Sequence, residues 1–389
     1  MRRGRAGSPC ITSTSASPTS PPCSRCSPPT GPTTRASSPT ARPRATWPIG
    51  QLWPSTTTAS TPRAAAAPSP RARSSSPSAA ARRSCSPSPP PATSAIEILV
   101  AEPYYTNYRG FSHLLGVEVV PVSTHARESF AVPPERVRAA ITPRTRAFII
   151  PSPGNPTGMV LSAANLAALG EVCVQAGIFF VVDEVYREFV YPDAPTAPDA
   201  PAPRAPSVLA VPGLANHAVM IDSVSKRYSA CGARVGCLVT RNAALYSACL
   251  RFGQARLSPP TVDQYAALAA LRTPAADMRA MVDEYRARRN VIVAGLNAIP
   301  GVSCPTPTGA FYLITDLPVA DAEDFCIFML RDFDLGGETV MMAPAEGFYA
   351  TPGLGKNQVR IAYVLGRDKL ARCLEILRAG LEAYNRTSR

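Results

Sequence analysis

A break in composition near residue 96 limits what this chain can fold into more than any other feature. Residues 1–96 contain no Asp, Glu, Lys, Asn, Val, Phe, Tyr or His. They hold 12 arginines and 19 of the chain's 43 prolines, and Ser, Thr and Ala fill most of the rest. Three isoleucines and the two aromatics Trp47 and Trp53 are too few apolar anchors for a core. The composition predicts that residues 1–96 are disordered. From Glu97 onward β-branched, aromatic and acidic residues return together, so any globular fold belongs to 97–389.

The break also changes what the charge means. The formal net charge is +13, but with the 12 N-terminal arginines set aside the body carries 28 basic residues against 27 acidic ones. A nearly neutral body offers no basic face for nucleic acid. Seven of the 11 cysteines lie in the body, scattered and without CxxC or His spacing, and read as small apolar residues in a reducing compartment. Cys23 and Cys26 form a CxxC, but without a second pair or a histidine no metal site is expected. No apolar run is long enough for a membrane span. Met1-Arg2-Arg3 lacks the hydrophobic stretch of a secretory signal, while the Arg- and Ser-rich, acid-free composition is also that of an organelle transit peptide. A soluble cytoplasmic protein is the expectation.

Apolar runs at 97–101, 117–122, 147–151, 178–183, 218–221 and 235–240 read as buried strands. Helical periodicity at 134–142 and 162–176, with Ser162 as a cap, separates some of them. Strands apolar on both faces and alternating with helices indicate an α/β fold, a mixed and mostly parallel sheet with helices on both faces. Long helices follow at 242–254, 260–271 and 276–298. The last 90 residues mix strands at 310–314, 339–342 and 358–363 with helices at 321–333 and 367–384. This divides the body into a large domain, 97–298, and a small α+β domain, 299–389. The Ala/Pro-rich stretch 194–206 reads as a surface loop.

Four loops at strand ends carry the chemistry, where open α/β sheets place ligands. Glu102-Pro103-Tyr104-Tyr105-Thr106-Asn107-Tyr108 offers an aromatic to stack on a flat heterocycle, or simply turn and core tyrosines. Pro151-Ser152-Pro153-Gly154-Asn155-Pro156-Thr157-Gly158 holds one amide, Asn155, rigidly among chain breakers. Asp183 ends an apolar strand, where its carboxylate either pairs with a pyridinium nitrogen or caps a helix, and Tyr186 lies one turn on. The fourth loop holds Ser223, Lys226 and Arg234. The chain has only three lysines, Lys226, Lys356 and Lys369, against 37 arginines. Lysine can lose its proton and attack a carbonyl, which guanidinium cannot. A lysine flanked by small hydroxyl residues, with an arginine eight residues on to hold a phosphate, is furnished as a Schiff-base lysine for pyridoxal phosphate.

With these motifs in order, residues 97–389 resemble the class I/II aminotransferases of the fold-type I pyridoxal-phosphate enzymes, most of all their bacterial aspartate-aminotransferase-like branch. The resemblance implies that Tyr105 stacks on the cofactor ring, Asn155 and Tyr186 bind its phenolic oxygen, and Asp183 binds its ring nitrogen. It implies that Lys226 is the catalytic lysine, with Ser223 and Arg234 on the phosphate. Arg360, in Gln358-Val359-Arg360-Ile361-Ala362-Tyr363, matches the family arginine for the substrate α-carboxylate, and Pro307–Tyr312 matches the strand that shapes the pocket. The implied reaction moves an amino group between an α-amino acid and a 2-oxo acid in amino-acid metabolism and biosynthesis. The implied partner is a second copy of the chain in a homodimer, with no nucleic acid or membrane involved.

Residues 1–96 depart from that pattern, supplying neither the family's Gly-rich phosphate turn nor its N-terminal arm. Regrouping GC-rich codons by one base permits a glycine-turn-like stretch over Ala72–Pro91 and an arm-like stretch over Cys10–Pro21. The segment is therefore read as translated out of frame and the polypeptide that carries it as an impaired enzyme; the competing account is a genuine Arg/Pro/Ser tail. Two further functions share the residues. One is a lyase or cyclase on the same scaffold, which the motifs alone do not separate from a transaminase. The other is a non-enzymatic protein that uses the basic tail.

Overall fold

A computed structural model describes residues 10–12 (backbone only), 95–192 and 202–387. Six strands form the main sheet: β2 (Glu97–Glu102), β3 (Glu118–Ser123), β4 (Thr145–Pro151), β5 (Phe179–Asp183), β6 (Ala218–Ser223) and β7 (Gly236–Thr240). Their order is β3-β2-β4-β5-β6-β7, parallel throughout except for the antiparallel edge strand β7. Parallel strands need covered faces, and the apolar content of these runs meets that need. Leu99, Phe148, Ile150, Phe180 and Val182 are buried with Leu166, Leu169 and Val172 of helix Ala163–Gln175. Phe148 and Phe180 stack across neighbouring strands with centroids 5.6 Å apart. Ser162 caps that helix as expected, accepting from the Asn165 backbone N–H.

β2 pairs with β3 on one side and β4 on the other, so the chain reverses direction across the sheet at this point. A crevice opens at such a reversal beyond the carboxyl ends of the strands. Glu102, Pro151, Asp183 and Ser223, the last residues of β2, β4, β5 and β6, all stand there.

Helices Ala243–Arg256, Thr261–Ala270 and Ala275–Asn297 follow β7. A second sheet is antiparallel, in the order β10 (Ala343–Pro344), β11 (Gln358–Ala362), β8 (Tyr312–Asp316). Helices Ala322–Arg331 and Arg367–Thr387 contribute Phe325, Met329, Ile376 and Leu377 to a core that includes Phe311 and Leu313. Tyr285 of helix 275–297 stacks on Phe311 at 5.3 Å.

Three differences from the sequence reading have physical causes. The stretch 107–114 forms a helix although its apolar residues are not placed for burial; Phe111 and Leu114 are exposed. The loop expected at the surface is not wholly so. Residues 193–201 lie outside the described residues, but Ala205 is buried and its N–H donates to the Arg187 carbonyl. Within the segment expected to be disordered, Cys10–Thr12 form β1, parallel to β9 (Thr339–Met341). Among the described residues β9 has no other strand beside it, and its unpaired backbone groups accept a partner strand wherever β-compatible residues such as Ile and Thr reach it, giving a two-stranded sheet. Apart from β1 and residues 95 and 96, the expectations for residues 1–96, including the reading frame and the missing glycine turn, lie outside the described residues.

Candidate active site

The four strand ends and β11 enclose a cavity of about 320 Å³. It is lined by Tyr105, Asn155, Asp183, Tyr186, Ser223, Lys226, Arg234 and Arg360, so every residue singled out from the sequence reaches one space.

Lys226 sits on a single helical turn, Val224–Arg227, that begins where β6 ends. Ser223 caps it, accepting from the Ser225 N–H, while the Ser223 hydroxyl lies 2.9 Å from the Val235 carbonyl and 2.8 Å from the Ser225 hydroxyl. The Lys226 ammonium lies 5.9 Å from the centre of the Tyr186 ring. Burial lowers the Lys226 pKa below that of an ordinary lysine. The nearby Arg234 and Arg360 guanidinium groups lower it further, while Cys231 and Asp183 oppose the shift. The amine is thereby moved toward its nucleophilic form.

Asp183, at the end of β5, lines the same cavity. Burial raises its carboxyl pKa, but two donors oppose that: the Tyr108 phenol donates to Oδ2 at 2.9 Å and the Val185 N–H to Oδ1 at 3.3 Å. Tyr108 stands edge-on to Tyr105 at 5.8 Å, and Asn107 Nδ2 donates to the Tyr105 hydroxyl at 2.8 Å, fixing that ring. Tyr186 is buried within 3.3 Å of the Tyr312 hydroxyl. Arg234, with a left-handed φ of 55°, is exposed and donates one Nη1 bond to the Cys231 carbonyl.

Arg360 projects from β11. Its guanidinium carbon lies 4.9 Å from the ring centres of both Tyr312 and Phe348, a sandwich that holds the plane by cation–π contact. Nη1 donates to Asn155 Oδ1 at 3.3 Å, and Nε is buried without a hydrogen-bond partner. Occupying the Asn155 carbonyl oxygen leaves that side chain's NH₂ as a donor for another group. An unsatisfied buried guanidinium N–H is costly unless an anion completes it.

Sequence reasoning missed Tyr108, Ser225 and Cys231 as site residues and placed Tyr312 only within the strand that shapes the pocket; all four line the cavity. Tyr108 and Ser225 stand inside motifs already recognised, three residues after Tyr105 and one before Lys226. Tyr312 is brought in only by the pairing of β8 with β11.

The donor set fits pyridoxal phosphate. One cavity brings together a part-buried carboxylate for the ring nitrogen, hydroxyls and a guanidinium for a phosphate, and a lysine whose pKa is lowered by burial. The sequence matches the family described as aminotransferase class I and II over residues 92–377. It is 32% identical to the aspartate aminotransferase of Geobacillus stearothermophilus over 294 residues, covering 74% of this chain and 70% of that protein. Among solved structures it is similar to the N-succinyldiaminopimelate aminotransferase of Mycobacterium tuberculosis, with TM-score 0.65, 29% identity, and coverage of 74% and 72%. It is also similar to Thermus thermophilus aspartate aminotransferase with maleate, with TM-score 0.62, 29% identity, and coverage of 74% and 70%.

The chain belongs to the class I and II aminotransferases of fold type I. It is a pyridoxal-phosphate-dependent transaminase, acting on amino acids and oxo acids.

Proposed function

We propose that Lys226 is the catalytic lysine and that Arg360 selects substrates by their α-carboxylate. The unpartnered Nε of a guanidinium clamped between Tyr312 and Phe348, in the cavity that holds Lys226, carries this reading. When bound, pyridoxal phosphate supplies an aldehyde that captures amines and a ring that withdraws electrons from the substrate's Cα. Asp183 would hold the ring nitrogen, Tyr105 the ring face, Asn155 and Tyr186 the phenolic oxygen, and Ser223, Ser225 and Arg234 the phosphate. Arg360 would fix the α-carboxylate by paired hydrogen bonds and so orient the Cα–H bond. Lys226 Nζ, its pKa lowered by desolvation, would take the Cα proton and return it one carbon away.

We also propose a homodimer. Tyr246, Phe252, Leu257, Val262 and Tyr265 are large, apolar and exposed on and beside the helices after β7, the surface composition of a covered face. A cytoplasmic place in amino-acid biosynthesis is proposed from the near-neutral body and from the absence, among the described residues, of a disulfide joining the seven body cysteines. The relatives are named as aminotransferases, and neither the lyase or cyclase reading nor the non-enzymatic one is favoured. The test is to mix the cofactor-loaded protein with an amino acid alone. Transamination yields pyridoxamine phosphate and the matching 2-oxo acid; release of the β- or γ-substituent with ammonia and a 2-oxo acid that lacks it, and no pyridoxamine phosphate, would instead establish elimination.

A further inference from the structure

Glu102 belongs to the first of the four motif loops, yet no role above uses it. It is the last residue of β2 and is fully buried. Its carboxylate accepts four hydrogen bonds. Oε1 takes the Ser123 hydroxyl at 2.7 Å and the Thr351 hydroxyl at 2.6 Å; Oε2 takes the backbone N–H groups of Ala350 at 2.8 Å and Thr351 at 3.1 Å. Ser123 ends the neighbouring strand β3, whereas Ala350 and Thr351 lie almost 250 residues away in sequence. A buried carboxylate with this many donors is a rigid joint, because each donor would be left unsatisfied if the joint opened.

The joint lies between the two walls of the cavity. On one side Glu102 leads into Pro103–Tyr108, the segment carrying Tyr105 and Tyr108. On the other, residues 345–351 support Arg360. The Phe348 ring forms one face of its sandwich, Ala343 is the register partner of Arg360, and the Ala345 N–H donates to the Gln358 carbonyl. A second bond, from the Tyr104 N–H to the Phe348 carbonyl at 2.9 Å, runs beside the carboxylate.

We infer that Glu102 is a positioning residue for the substrate carboxylate: it locks the segment beneath Arg360 to the wall that carries Tyr105. The inference rests on the reading of Arg360 given above. Loss of the lock lets Phe348 and Arg360 shift relative to the ring wall without touching Lys226, Asp183 or Arg234. The effect therefore falls on carboxylate binding and leaves cofactor binding in place.

The probe is maleate, the dicarboxylate present with a related aspartate aminotransferase, titrated into cofactor-loaded protein and followed by absorbance. Glu102→Ala should weaken maleate by about tenfold and raise KM for amino acid and oxo acid alike, with cofactor affinity within about twofold. Glu102→Gln should recover most of the maleate affinity. Its carbonyl oxygen can accept both backbone N–H groups while its NH₂ donates to the two hydroxyls, which are free to rotate. Without cofactor, the Ala350 and Thr351 amides should exchange with solvent faster in the alanine variant than in wild type. Thr351→Val, which removes one donor and leaves the carboxylate in place, should show the same pattern at about threefold, and it serves as the test if the alanine variant does not fold.

Unchanged maleate affinity and amide exchange in Glu102→Ala, or in Thr351→Val where that variant serves, would overturn the inference. So would parallel losses of cofactor and maleate affinity, or a Gln variant as weak as Ala. Arg360→Lys separates the two readings. If it weakens maleate while Glu102→Ala does not, the positioning role alone fails; if it leaves maleate untouched, the carboxylate role of Arg360 fails.

Discussion

Replacing Arg227 with methionine removes the cation next to the catalytic lysine while keeping most of the side-chain volume. Arg227 is almost completely buried and forms a fork between two carboxylates. Nε donates to Glu188 at 2.6 Å, and Nη2 donates to both oxygens of Asp222 at 2.9 and 3.0 Å. Breaking a buried pair by deleting one partner costs about 3–5 kcal/mol. The lower end applies here, because Arg204 remains 3.9 Å from Glu188.

The loss should depend on pH. Burial pushes the Asp222 carboxyl from its ordinary 3.8 up to about 6 even with Arg227 beside it. Without the guanidinium that value rises further, while the unfolded value stays at 3.8. Up to about 6 the wild-type carboxyl holds the same proton, so the two proteins lose stability alike; above about 6 only the variant still holds it, and its stability relative to wild type falls as pH rises from about 6 through the variant's higher value and is least impaired below 6. Urea unfolding should show a loss of about 3 kcal/mol near pH 8 and about 1 kcal/mol near pH 5, with Arg227→Lys in between. A loss below about 1 kcal/mol at both pH values, or an equal loss at both, would refute this reasoning.

Asp183→Asn keeps the shape and the Val185 contact but removes the charge, so kcat should fall by about two orders of magnitude or more while cofactor still binds. Turnover near wild type would show that Asp183 only caps the turn after β5. Arg360→Lys replaces a planar fork with a point charge and should cost on the order of 2 kcal/mol, about thirtyfold in KM, for amino-acid and oxo-acid substrates alike. Wild-type activity that is equal toward amines lacking a carboxylate would contradict it. The rate at which apoprotein takes up cofactor should rise with pH through a value below that of an ordinary lysine, because Lys226 reacts as the free amine and its pKa is lowered. A midpoint at the ordinary lysine value would show that the amine is not desolvated.

The inner strands β2, β4, β5 and β6 were legible because parallel strands covered on both faces write themselves as continuous apolar runs; the edge strands β3 and β7 carry the same apolar signature although they are far less buried than expected, and all six ends fell within a residue or two of expectation. Lys226 was legible because lysine is rare in this arginine-rich chain. Asp183 and Asn155 were legible because each is a lone polar group at the end of an apolar run or among chain breakers. The supporting residues were not. Tyr108 looks like any other tyrosine until folding sets it 2.9 Å from a carboxylate 75 positions away. Phe348 and Tyr312 become the faces of the Arg360 sandwich only through strand pairing in the second sheet and the segment beside it. The Arg227 fork joins Asp222, five residues away, to Glu188, 39 away, and the Glu102 joint reaches 21 to 249 residues; no local period or spacing encodes such pairings.

The central claim is that Lys226 carries the chemistry, and borohydride reduction of the chain in the presence of pyridoxal phosphate tests it most directly. The cofactor should become fixed covalently to the peptide containing Lys226, and Lys226→Ala should abolish both the labelling and the transamination. Labelling mainly at Lys356 or Lys369, or turnover surviving in Lys226→Ala, would contradict the account.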